Sequence, residues 1–144
     1  MASVNRILTA GCYQHLIHRV PEVRWHFDAI PEDESVLSAT VPYVGSYRLL
    51  SSVGESYLSS GKELRTWPLQ VDVFGLTHEG VQDRIEEVRN QFEDTSPNLT
   101  DSTVSIVRIM NGSDTVGVDP DKTTEAQEIY HGIQILEISV EYST

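Results

Sequence analysis

Hydrophobic and polar positions along the chain alternate between two periods. Over residues 3–19, Val4, Ile7, Leu8, Cys12, His15, Leu16 and Arg19 recur at helical spacing, with Ser3 placed to cap the start and Pro21 to stop the run. From Val23 to Ile30 the period shortens to two, with Val23, Trp25, Phe27 and Ala29 on one side, which predicts a strand. Pro31–Ser35 is a charged turn-forming break. A second strand is expected over Tyr43–Leu50 and a third over Arg65–Phe74, where Leu69, Val71 and Val73 alternate with Gln70 and Asp72. Between them, Ser51–Gly61 is rich in Ser and Gly and reads as a long exposed connection, with Val53, Tyr57 and Leu58 as its apolar members.

After Gly75 the helical period returns. Thr77 is the expected N-cap, Glu79 and Asp83 lie in the first turns, and Val81, Ile85, Val88 and Phe92 form one stripe. Thr95-Ser96-Pro97-Asn98 ends that helix. Thr103–Met110 reads as a fourth strand. Asn111-Gly112 then opens a polar, acidic stretch to residue 128 that reads as a long loop. In the final strand, Ile129–Tyr142, the residues Leu136, Ile138, Val140 and Tyr142 share a face while Ile133 and Ile135 have the opposite phase, which suggests a bulge or a twist onto a second neighbour near Ile135. The order is helix, three strands, helix, two strands. It predicts an α+β fold, a mostly antiparallel sheet of about five strands with two helices on one face, formed as one domain over residues 1–144.

Composition narrows the function. Ten Lys and Arg against 22 Asp and Glu give a net charge of −12, a poor basis for gripping phosphates or an anionic membrane surface. Apolar runs are far shorter than the roughly 20 residues that cross a bilayer, and the opening residues, with polar Thr9 and Gln14 soon after Ile7-Leu8, lack a secretory-leader pattern. A single cysteine, Cys12, excludes an internal disulfide and lies on the apolar stripe, where it reads as a small buried hydrophobe.

Catalytic and cofactor patterns are missing from the sequence. It holds no G-x-S-x-G, Walker or dinucleotide glycine motif, so no cofactor is expected. His15 and His18 are three residues apart on a helix, without the further ligands of a zinc site. Asp119-Pro120-Asp121 with Glu125 lacks the sixth-position glycine of a calcium loop. Carboxylate pairs such as Glu86-Glu87 lie side by side on a helix rather than across a cleft, and Trp25 and Trp67 read as core or rim residues. The expectation is a protein that is not an enzyme.

Pro42-Tyr43-Val44, the strand Trp67–Gly75, the helix running to Phe92 and the closing strand Gly132–Tyr142 together resemble the small tail terminator (tail completion) proteins of long-tailed bacteriophages. The resemblance in length and element order runs over nearly the whole chain. It implies a virion protein that forms a homohexameric ring on the head-proximal end of the tail tube, assembled in the bacterial host cytoplasm. Its implied partners are its own copies, the tail tube protein and the head connector or stopper, with genomic DNA passing through the lumen without specific binding. A head-side connector or stopper of the same neck is the alternative, followed by a small ligand-binding domain. Long polar loops that still carry apolar residues are costly to order without a partner. This makes Val53, Tyr57 and Leu58 candidate interface anchors, and Asp114, Asp119 and Asp121 candidates to face DNA or a basic partner.

Overall fold

The structure, a computed structural model, describes residues 3–32, 36–56, 61–124 and 127–143. Helix α1 (Val4–Arg19) is followed by strands β1 (Val23–Phe27), β2 (Tyr43–Leu49), β3 (Val53–Ser56) and β4 (Lys62–Gly75). Helix α2 (His78–Asp94) then precedes β5 (Val104–Val118) and β6 (Tyr130–Ser143). The strands form one sheet in the order β1-β2-β4-β6-β5, with β3 pairing the first half of β4 beyond the end of β2. All pairs are antiparallel except β1 with β2, which is parallel and needs the crossover supplied by residues 28–42. The α+β class and the order of the long elements are those the sequence predicts.

Both helices cover the same face. Strand alternation puts Trp67, Leu69, Val71 and Val73 of β4 and Leu136, Ile138 and Val140 of β6 on that face, where they form one core with Leu8, Cys12 and Leu16 of α1 and Val81, Ile85, Val88 and Phe92 of α2. The stripe predicted for α2 is the buried one, and Thr77 caps it by accepting a hydrogen bond from the Gly80 amide at 3.1 Å. Ser3 holds the N-cap position of α1, but its side chain makes no cap hydrogen bond.

Three local expectations are corrected. The Ser51–Gly61 connection contains a strand, β3, set against Glu63–Thr66 of β4. The stretch from Asn111 is not a loop: β5 continues to Val118 and pairs with β6 as far as Tyr130. As the sheet's last strand it is exposed along most of its length, so it lacks the hydrophobic alternation of a half-buried strand. Asn111-Gly112 marks a bulge in β5, where the register slips by one residue between Asn111 and Asp114. The irregularity expected near Ile135 is carried by β5 and not by β6: the slip between Asn111 and Asp114 lies opposite Ile135, while β6 pairs with β4 continuously from Tyr130 to Ser143. The apparent phase change there arises because the helix-side positions are Gly132 and buried Gln134, leaving Ile133 and Ile135 on the open face.

Candidate functional site

Besides Val36 and Val53, exposed apolar side chains lie at both borders of the sheet. On one side, β1 has no strand partner beyond β2 among the described residues. At its end Phe27 is 56% exposed and its ring lies 5.7 Å from that of Tyr47, which in turn stacks on Tyr13 of α1 at 5.9 Å. These rings and Arg6 line a shallow depression of about 370 Å³. Burial pushes the Tyr47 hydroxyl up to about 12, helped by Tyr13 and Cys12. On the other side, the 15-residue β5 has no strand partner beyond β6 among the described residues, and Val107, Met110 and Val118 are exposed. Open strand edges of this length invite another chain unless they are protected.

The residues singled out in the sequence fall in different places. Val53 is 71% exposed on β3. Tyr57 and Leu58 lie outside the described residues. Asp114 projects from β5 toward α2 and pairs with Arg89 at 3.1 Å. Asp119 follows β5, where its Oδ1 accepts from the Asp121 amide at 3.0 Å and its Oδ2 lies 3.8 Å from His131 Nδ1. Asp121 is exposed beyond that turn. The three aspartates therefore do not form one acidic loop: Asp114 belongs to the α2–β5 seam, and Asp119 anchors the segment leading into β6.

A feature missed in the sequence lies on the open face. His131 Nε2 meets Asp72 at 3.2 Å, its ring stacks on Phe74 at 4.2 Å, and Lys122 Nζ lies over the Phe74 ring at 5.0 Å from its centre. Gln70 donates to the same Asp72 at 2.9 Å. Beside Phe74, a mostly apolar cavity of about 320 Å³ is walled by Ile30, Leu37, Val44 and Ile129. Sequence spacing gave no hint of this cluster, because its members are brought together by β4–β6 pairing across 59 residues.

The remaining candidates for chemistry are structural. Cys12 is fully buried, and desolvation pushes its thiol up to about 12, so it is an inert packing residue. His15 and His18 turn to different partners: His15 Nε2 bonds the Gln91 carbonyl at 2.9 Å, and His18 bonds Gln14. Trp25 and Trp67 are core residues, and the Trp25 indole donates to the Val20 carbonyl at 3.0 Å. Among the described residues, no group of three His, Cys, Asp or Glu side chains is placed to hold a metal ion. No helix is long and apolar enough to cross a membrane, again among the described residues. Among the described residues, the sheet ends in two unpaired strand edges, at β1 and at β5.

No protein-family pattern matches the chain, and no curated protein matches it in sequence. Among solved structures, the fold is similar to that of the bacteriophage SPP1 gp17 protein, with a TM-score of 0.52 and 19% identity, over 93% of this chain and 88% of that one. At that identity the likeness establishes a shared fold.

Proposed function

We propose that this chain is a structural virion protein without catalytic activity. In this reading it forms a ring, most simply a homohexamer, on the head-proximal end of a phage tail tube, ends tube polymerisation and joins the tail to the head connector. The observation that carries the reading is the fold shared with the bacteriophage SPP1 gp17 protein over 93% of the chain. Two physical features support it. A protein that caps a ring must repeat its contacts around a closed circle, and a sheet with two open borders offers two different surfaces for such head-to-tail contacts. A net charge of −12 suits a lumen through which DNA slides, since it repels the duplex and neutralises no phosphates.

The test is to polymerise purified tail tube protein with and without this chain and to image the products by electron microscopy, with native mass spectrometry of the capped ends. The expected result is a single ring of this chain at one end of each tube and an arrested length. Tubes that grow identically in its presence, while the chain binds purified head connectors, would move the assignment to the head-side connector or stopper. Binding to neither would overturn the phage-neck reading.

A further inference from the structure

The two halves of the molecule differ in charge. Over residues 4–27, which hold α1 and β1, three arginines face one carboxylate, Glu22. Over residues 78–118, which hold α2 and β5, eight carboxylates face three arginines. These segments sit at opposite borders of the sheet, since α1 packs over β1 and β2 while α2 packs over β4, β6 and β5. They also sit at the same level along the strands. Register ties Val23 to Tyr43, Tyr43 to Gly75, Gly75 to Tyr130 and Tyr130 to Val118 in one row across the sheet. Exposed apolar residues stand at both ends: Tyr13 and Phe27, packed on the buried ring of Tyr47, beside β1, and Met110 with Val118 on β5.

We infer that the joint between subunits is made by these two borders, the basic, aromatic α1/β1 border of one copy docking on the acidic α2/β5 border of a second copy. The inference rests on the ring reading above and assigns its contact surfaces. The occupant is a second copy because the chain itself carries both complementary halves, opposite in charge, each with an open strand edge and exposed apolar side chains. Opposite charges across the joint favour this register and oppose pairing of two like borders. A contact between two different borders of the same chain is heterologous, so it closes into a ring or runs on as a filament.

The experiment uses two charge-reversed full-length chains, each checked for folding by circular dichroism. One carries Arg6→Glu and Arg24→Glu on the basic border. The other carries Glu79→Lys, Glu86→Lys and Glu93→Lys on the acidic one, which leaves five carboxylates against six cations there; Glu86 lines a depression with Asp114 and Val116, and Glu93 bonds Asn111 of β5. Mass photometry, alone and on tail tube ends, should show each variant by itself at least tenfold poorer in rings than the native chain. An equal mixture should restore rings, because in alternating order every joint again meets opposite charges. Native rings with no recovery in the mixture would overturn the assignment of these borders while leaving the ring standing. A native chain that stays monomeric both alone and on tube ends would overturn both.

Discussion

Gly132 of β6 lies directly beneath Ile85 of α2: a methyl group at Gly132 would stand 2.5 Å from Ile85 Cγ1 and 2.8 Å from Val81 Cγ1. Both side chains are buried and branched, so neither can swing aside, and the helix would have to lift from the sheet. Gly132→Ala is therefore expected to cost about 1–3 kcal/mol by overpacking. Gly117→Ala on exposed β5, where an added methyl meets nothing within 4 Å, should stay within about 0.5 kcal/mol of the native chain. Urea titrations of the two variants give the comparison, and equal midpoints would show that α2 is not seated on Gly132.

Glu87 of α2 is held above its ordinary value mainly by desolvation, with Glu22 adding to the rise and Arg84 opposing it. The folded chain thus binds this proton more tightly than the unfolded one, and stability falls as pH rises through the raised value. Glu87→Gln should be more stable than the native chain at pH 7, by less than about 1 kcal/mol given the partial exposure. The gain should fade as pH falls toward the ordinary glutamate value near about 4.3. Thermal melts at pH 7 and pH 4.5 read this directly. A loss at pH 7 would mean that the 3.2 Å pairing with Arg84 outweighs burial.

The imidazole of His15 has the opposite sign. Burial holds its pKa below 6.5, against the hydrogen bond to Gln91 and assisted by Arg19. The unfolded chain then binds the proton more readily, so stability present at neutral pH drains away as pH falls below about 6.5. His15→Met keeps an apolar contact with Phe92, which the imidazole now meets edge-on at 4.7 Å. It should cost only about 0.5–1.5 kcal/mol at pH 7.5, the net worth of one hydrogen bond, because the Gln91 carbonyl still accepts from Thr95 Oγ1 at 2.9 Å. Its stability should also fall less steeply than that of the native chain between pH 7.5 and 5.5. Parallel profiles would place the acid sensitivity elsewhere.

The core was readable from sequence because its period was visible. Val81, Ile85, Val88 and Phe92 announce a helix face, and Leu69, Val71 and Val73 announce the sheet beneath it. β5 beyond Asn111 was not readable, because a strand exposed on both faces carries no alternation and its polar residues mimic a loop. β6 misled for a different reason: Gly132 is small where α2 comes close, and Gln134 is polar yet buried, its Nε2 donating to the Ile135 carbonyl at 3.0 Å. The surfaces proposed for assembly were half legible. Exposed Val53 was found, but the Tyr13–Tyr47–Phe27 cluster joins a helix and two strands that no local spacing connects. Asp114 and Asp119 share one stretch of sequence yet serve different seams, which only the strand register reveals.

That register also separates two surfaces that sequence treats alike. Val118 lies in the row of Val23, across the sheet, whereas Val53 lies opposite Thr66, nine residues further along β4 from Gly75. At the usual rise per strand residue, that offset is roughly 30 Å. Both side chains are about half exposed or more, at 48% and 71%, so replacing either with lysine should change folding stability by less than about 0.5 kcal/mol. A lysine on a strand edge opposes pairing by another chain. If copies join through the α1/β1 and α2/β5 borders, Val118→Lys should lower the fraction of chain in rings at least tenfold, since a buried unpaired charge at an interface costs more than the roughly 1.4 kcal/mol of a tenfold change. Val53→Lys should leave ring formation unchanged and instead weaken attachment to tube ends, because β3 stands away from that joint. Mass photometry measures the first effect and cosedimentation with tail tubes the second. Equal ring loss in the two variants would place β3 inside the subunit joint and refute the separation of surfaces argued from the register.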